Sequence, residues 1–330
     1  MRTLLKLIAG LGIVAILTGG YLTSQLTSPY KGFSEPVFLE VKRGMTTAEM
    51  ASELARSGVV SAPWLFVVAR ALNRSARLQA GEYHFTTAAS PTDVLHRIQK
   101  GDIYFTELLL QEGLNIFDMA TAVEKQSGIR AADFLAAAKN PSLIQDLDPT
   151  ATSLEGYLFP SKYRIYRHTT AAQLTKQMTG EFRTQWAKMG NGANPHKTIT
   201  LASLVEREAQ RHEEQPQVSS VFHNRLRQGM KLDCDPTTVY AALLENRYRG
   251  TIHQSDLASE NPYNTYKHAG LPPGPIANPG VGAIRAALAP AETPYLYFVA
   301  KADGSGGHNF SESLKQHVEA VGQYHRATKR

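Results

Sequence analysis

Two glutamates stand two positions apart in the run Lys197-Thr-Ile-Thr-Leu-Ala-Ser-Leu-Val-Glu-Arg-Glu-Ala-Gln-Arg211. The apolar residues Ile199, Leu201, Ala202, Leu204, Val205 and Ala209 recur at helical spacing and predict a helix over 197–211. At about 100° per residue, Glu206 falls on one shoulder of that stripe, beside Ile199, Ala202 and Ala209, and Glu208 lies nearer its centre, between Leu201 and Leu204. A carboxyl half-sunk among apolar side chains loses the hydration of its anion. It holds its proton to higher pH and can serve as a general acid near neutrality. Periodicity alone does not choose between the two glutamates. It is equally compatible with both pairing with Arg207, Arg211 or Arg225.

Other chemistries find less support. The chain has no Gly-x-x-x-x-Gly-Lys-Ser/Thr run, no Gly-x-Gly-x-x-Gly run and no Gly-x-Ser-x-Gly elbow, which leaves nucleotide phosphate loops and esterase elbows without their backbone. Ser28-Pro-Tyr-Lys31 has the spacing of a Ser-x-x-Lys pair, but a proline interrupts it beside an apolar run. The 11 histidines are scattered without a His-Glu-x-x-His pattern, and His212-Glu213-Glu214 reads as a solvated helix end. Cys234 is the only cysteine. It excludes an intramolecular disulfide framework and any multi-cysteine metal site, and Lys231 is offset by Asp233 and Asp235, so nothing nearby activates the thiol. A further candidate is the segment 261–280, Asn-Pro-Tyr-Asn-Thr-Tyr-Lys-His-Ala-Gly-Leu-Pro-Pro-Gly-Pro-Ile-Ala-Asn-Pro-Gly. It is dense in turn residues and reads as a long ordered loop, either functional or a rigid surface turn. Its tyrosines can stack on sugar faces and its asparagines can bind hydroxyl or acetamido groups.

These residues must be held by a large enough body. The chain has 330 residues and 36.2 kDa, 42% hydrophobic and 19% charged, which is an ordinary globular mixture with room for two domains. Its net charge of +6 suits an anionic polymer or a membrane surface; no clustered basic patch points to nucleic acid. No charged residue occurs between Leu7 and Tyr30, and Leu7–Leu22 is apolar. That is just long enough to cross a bilayer core of ~30 Å, and Arg2 and Lys6 place the short end in the cytoplasm. The alternative, a cleaved signal peptide, lacks a good small-x-small cleavage site after the apolar run. Without Arg2 and Lys6 the remainder carries 33 basic against 29 acidic residues, so the basic balance belongs to the body as well.

Two segments resemble each other. Phe38 to Val59 and Leu108 to Ile129 each predict a strand, a turn glycine (Gly44, Gly113), a polar cap (Thr46 or Thr47; Asn115) and an amphipathic helix closed by glycine (Gly58, Gly128). Between the copies lie a helix near Pro63–Leu72, a strand around Tyr83-His84-Phe85 and a helix opened by Ser90-Pro91-Thr92-Asp93. This β-α-α-β unit resembles the LysM class of glycan-binding module, or else it is a spacer. Asp133–Asp148 reads as helical with a loose end.

Seven motifs then converge: Leu154-Glu155-Gly156-Tyr157-Leu158-Phe159-Pro160, Leu201-Ala-Ser-Leu-Val-Glu206, Val221-Phe-His-Asn-Arg-Leu226, Asp235-Pro-Thr237, Tyr263-Asn-Thr-Tyr266, Gly270-Leu-Pro-Pro-Gly274 with Ala277-Asn-Pro-Gly280, and Tyr295-Leu-Tyr-Phe-Val299 followed by His308. In this order they resemble the endolytic murein transglycosylase, or YceG-like, family. The resemblance implies non-hydrolytic cleavage of the bond between N-acetylmuramic acid (MurNAc) and N-acetylglucosamine (GlcNAc) in peptidoglycan. It places the catalytic glutamate at Glu206. Glu155, Tyr157, Asn264, Tyr266 and Asn278 are expected to bind substrate.

The reading is therefore an α+β protein in three parts: a cytoplasmic tip and single transmembrane helix (1–30), a LysM-like βααβ module (31–105) and a larger α+β catalytic domain (106–330). No metal or organic cofactor and no nucleic acid is expected. Glycan strands, the membrane and peptidoglycan synthases are the expected partners, with the body on the outer side of the cytoplasmic membrane. The rivals are a water-using muramidase, with Asp235 or Glu155 as second carboxylate, and a non-catalytic peptidoglycan-binding scaffold.

Overall fold

The structure, a computed structural model, describes residues 2–75, 77–190 and 192–328. The side chains of Arg2, Thr3 and Leu5 lie outside that description, so Arg2's part in orienting the N-terminus does too. The chain divides into two compact units, Met1–Thr106 and Glu107–Arg330.

The first unit begins with α1 (Arg2–Thr27). Its segment Lys6–Thr27, 22 residues with a mean hydropathy of 1.7, is long and apolar enough to cross a membrane, at about 33 Å for that number of residues. The helix runs five residues beyond the expected Leu22. Leu26 is buried and Leu22 half-buried in the core of the unit, so α1 ends as part of the fold. Strand β1 (Val37–Val41) pairs antiparallel with β2 (Gly81–Phe85), with Leu39 opposite Tyr83. Between them lie α2 (Thr47–Arg56) and α3 (Pro63–Leu72), and α4 (Pro91–Lys100) follows. The caps are chemical: Thr46 and Ser90 each close a capping box with Glu49 and Asp93. Leu39, Val41, Tyr83 and Phe85 point inward onto Leu54, Phe66, Val94 and Ile98.

The second unit repeats the opening pattern. Strand β3 (Thr106–Leu109), Gly113 at φ 78°, the cap Asn115 and α5 (Ile116–Ser127) follow β1, Gly44 at φ 83°, Thr46 and α2. Here, however, β3 pairs with β4 (Lys162–Ile165). Helix α6 (Ala131–Ala138) is shorter than the expected helical stretch to Asp148, because Asn140-Pro141 turns the chain into a single 3-10 turn. Then come α7 (Ala171–Met189), α8 (Pro195–Glu208), α9 (Gln215–Arg227), α10 (Asp235–Leu244), the short α11 (Gln254–Leu257), α12 (Val281–Leu288), the antiparallel hairpin β5 (Tyr297–Ala300) and β6 (His308–Ser311), and α13 (Leu314–Thr328). Helix α8 is the axis of this unit. Every residue from Ile199 to Val205 is buried, against α9 and α12 among others. The stripe read from periodicity is thus one side of a helix enclosed on all sides. Its polar Ser203 is satisfied by donating to Thr200 O and accepting the Ile276 amide.

Candidate active site

Glu206 occupies the last turn of α8, where the helix leaves the core. It is half-buried and lines a cleft of about 550 Å³. The cleft walls come from Leu109–Glu112 at the end of β3, Pro160–Lys162 entering β4, and Ala209, Gln210 and His212 beyond α8. Glu206 Oε2 accepts a hydrogen bond from the Gly280 amide at 2.9 Å. Burial pushes its carboxyl above the usual carboxylate range, and the neighbouring Glu112 adds to the shift. The Gly280 amide, His212 and Arg207 oppose it. The arginines do other work than pairing with either glutamate of α8. Arg207 donates to Gly113 O, Arg211 pairs with Glu213, and Arg225 holds the carbonyls of Leu232 and Leu296.

Asn278 pegs this site together. Its backbone carbonyl accepts the Gly113 amide at 2.9 Å, and its backbone amide donates to Leu114 O at 3.0 Å. Its side chain, fully buried, accepts from the Leu158 amide and donates to Leu114 O and to Glu155 Oε1 at 2.8 Å. Glu155 in turn accepts the Ile116 amide through Oε2, at the N-terminus of α5, where a carboxylate suits the orphan amides. Gly156 follows at φ 85°, and a Cβ there would stand 2.6 Å from Pro275, so only glycine lets this turn meet the 275–280 segment.

Four of the residues expected to bind sugar, Glu155, Tyr157, Asn264 and Asn278, lie inside the protein. All four are at most 2% exposed, and their polar atoms are spent on the protein. Tyr157 donates to Asp148, which also accepts from Thr150 and meets His196 Nδ1 at 2.8 Å. Asn264 ties its own loop, donating to Leu257 O and Ser259 O. The 261–280 segment is accordingly neither a surface turn nor a ligand-facing loop along its length. It enters the core at Asn264 and Thr265, with Thr265 bonded to Thr237 and to the Cys234 amide, surfaces over 267–269, and is buried again from Gly274 to Gly280. Tyr266 is half-exposed and donates to Asp235 at 2.7 Å, but it does not line the cleft around Glu206.

Glu208 sits elsewhere, on the thiol of the buried Cys234. Burial pushes that thiol well up, away from nucleophilic use. Nor is Glu214 a solvated helix end: it accepts from the His308 amide and meets His308 Nδ1 at 2.8 Å, fixing the β5–β6 hairpin. Asn224 and Arg225 hold the approach to that hairpin, with Asn224 donating to Thr293 O and Tyr295 O. Among the described residues no group of three His, Cys, Asp or Glu side chains is placed to hold a metal. Sequence reasoning missed Glu112 and His212 as cleft residues. A signal for Glu112 existed in the internal repeat, where Arg43 precedes Gly44 and Glu112 precedes the matching Gly113.

Two carboxyls, the buried Glu155 and the half-buried Glu208, set a pH dependence of stability. Burial is the main cause pushing Glu155 up to about 8 and Glu208 up to about 7. From about pH 4.5 to 8 the folded state keeps protons that the unfolded chain has released, so stability falls as pH rises through that window. Asp148 has the opposite sign. Burial raises it, but bonds from Thr150, Tyr157 and His196 outweigh burial and hold it below its usual range, so its contribution is lost only in stronger acid. The thermal midpoint is expected to drop between pH 5 and 8, and Glu208→Gln to flatten the slope below pH 7 while cleavage persists. A midpoint that rises over that interval, or a Glu208→Gln profile that overlays the wild type, contradicts this assignment.

The fold and the site define a helix-rich α+β protein with an acid-bearing cleft. The chain belongs to the YceG-like family, whose sequence model matches residues 39–323. It is 30% identical to the endolytic murein transglycosylase of Bacillus subtilis over 94% of this chain and 91% of that one. To the protein of the same name from Streptococcus pneumoniae it is 29% identical, over 80% of this chain and 54% of the other. A crystal structure of a YceG-like protein from Listeria monocytogenes matches with a TM-score of 0.55 at 28% identity, covering 86% of this chain and 99% of that one.

Proposed function

We propose that this enzyme is a membrane-anchored lytic transglycosylase that cleaves the MurNAc–GlcNAc bond of nascent peptidoglycan strands endolytically, with Glu206 as its single acid and base. The observation that carries the reading is the half-buried Glu206 carboxyl in its cleft, braced by the Gly280 amide, in a chain whose relatives are named endolytic murein transglycosylases. Because Oε2 already accepts a hydrogen bond, Oε1 carries the catalytic proton. Glu206 gives it to the oxygen between MurNAc and GlcNAc as charge develops at the MurNAc anomeric carbon. The carboxylate left behind, steadied by the Gly280 amide, then takes the proton of the same sugar's C6 hydroxyl. O6 closes onto C1, and a 1,6-anhydro end forms. Well-oriented intramolecular groups act at effective molarities on the order of 10⁵ M or more, so O6 outcompetes water without a second catalytic carboxylate.

Of the five expected binding residues Tyr266 alone keeps an accessible side chain, and we assign it to stacking on a sugar ring. Segment Lys6–Thr27 supplies the single membrane span, with the N-terminus in the cytoplasm and the chain after α1 outside it, near peptidoglycan synthases. The β1-α2-α3-β2 unit takes the LysM-like role. Its exposed Phe38 stacks on His84 at 4.2 Å beside Tyr104, and such a surface suits a glycan.

Digestion of purified glycan strands in heavy-oxygen water tests the reaction. Mass spectrometry should find unlabelled 1,6-anhydro ends. Labelled reducing ends would make the enzyme a muramidase. Asp235 and Glu155 would be poor partners for one, since Asp235 is bonded to Tyr266 and Glu155 is enclosed.

A further inference from the structure

The proposal above leaves a second acidic side chain in the cleft without a task. Glu112 and Glu206 meet the same residue, Gly280. Glu206 accepts its amide, and the Glu112 carboxylate lies so close to its Cα that any Cβ would overlap it. The Glu112–Gly113 turn also packs on the stem of Glu206: a Cβ at Gly113 would stand 3.5 Å from Glu206 Cγ. That turn is fixed by the Gly113 amide on Asn278 O, by Arg207 on Gly113 O and by Asn278 on Leu114 O. One frame therefore brings both residues to one glycine, Glu206 half-buried and Glu112 on the exposed side of the turn. In the first copy of the repeat the equivalent turn carries Arg43 instead, exposed to solvent.

We propose that Glu112 is a positioning residue of the reaction, whose carboxylate across Gly280 keeps Glu206 ready to donate until the glycosidic oxygen arrives. The inference rests on the assignment of Glu206 as acid. A carboxylate beside a second carboxylate disfavours a second negative charge, and so retains its proton at higher pH. The other charges facing Glu206 are Arg207 of α8 and His212 beyond it, both of which act in the opposite sense. Lys162, on β4 across the cleft, is paired with Glu107 at 3.1 Å. Glu112 itself gains and loses no proton in the cycle: the proton leaves Glu206 for the leaving oxygen and returns from the C6 hydroxyl.

The test is the pH–rate profile of glycan-strand cleavage by the full-length chain in detergent micelles, for wild type, Glu112→Gln, Glu112→Asp and Glu206→Gln. Activity declines as pH rises through the titration of the acid. Removing the neighbouring charge should move that alkaline limb to lower pH by roughly one unit, with kcat near neutrality falling about tenfold and KM little changed. Glu112→Asp should restore much of the wild-type limb. A Glu112→Gln profile superimposable on wild type overturns the proposal. So does a uniform loss of kcat with the limb unmoved, which would make Glu112 a substrate contact. Activity in Glu206→Gln would instead remove the acid on which the proposal rests, and the two failures are therefore distinct.

Discussion

Glu206→Gln is expected to abolish glycan cleavage while leaving the fold and membrane association as they are. The amide keeps the shape of the side chain, and its oxygen can still accept the Gly280 amide, so the brace at 2.9 Å survives. The amide has no proton to give to the leaving oxygen and is no base for the C6 hydroxyl. Both halves of the cycle stop, and the loss should exceed roughly 1,000-fold. Release of anhydro-muropeptides from sacculi, counted by mass spectrometry, checks it. Undiminished release by the purified variant would refute the assignment. A wild type that binds strands but cleaves none, indistinguishable from the variant, would favour the scaffold reading. Glu208→Gln is the matched control, since Glu208 stood level with Glu206 in the periodicity and differs only in where it is aimed.

Asn278→Ala carries the second large effect, and it separates a framing residue from a sugar-binding one. The alanine orphans the Leu158 amide and takes a donor from the enclosed Glu155 carboxyl. Each such loss costs about 1–3 kcal/mol, so the variant should be less stable by roughly 3–5 kcal/mol. For a unit of this size that lowers the thermal midpoint by about 10 °C. Cleavage at low temperature should fall as well: the backbone bonds to Gly113 and Leu114 survive, but the side chain that ties them to Leu158 and Glu155 is gone. If Asn278 instead held an acetamido group, the variant would melt like wild type and lose affinity alone. Calorimetry beside KM and kcat decides between them.

Local chemistry was legible without the fold. Ser90, Asn115 and the Thr46-Thr47 pair announce their helices because a side-chain oxygen directly ahead of a helical run can take the first free amides; Thr46 is the cap. Pro63 sets the start of α3 for a comparable reason. The apolar run after Lys6 reads as a span because bilayer thickness is a length, and length is visible in a sequence. The seven motifs gave the family, which the match over residues 39–323 shows.

What escaped was which polar side chains face a ligand and which face the protein. Glu155, Tyr157, Asn264 and Asn278 are the residue types that bind sugars, and the same donors and acceptors knit buried turns. In the fold all four are buried and bonded within the protein, Tyr157 on Asp148 and Glu155 on Asn278. Periodicity left Glu206 and Glu208 level, and only the family resemblance favoured Glu206, for a related reason. Helix periodicity gives the angle between two side chains but not what packs on each side. Cys234 covers one, while the Gly280 turn and an open cleft meet the other. Glu112 lies 94 residues before Glu206 in the chain, and its nearness to the acid exists only because β3 pairs with β4 and Asn278 fastens the turn between them. Sequence determined the apolar N-terminal helix, the caps and the repeated strand–turn–helix pattern, all of them set by near neighbours. Tertiary structure decided which carboxyl is aimed into the cleft and what surrounds it, since burial and field come from residues distant in the chain.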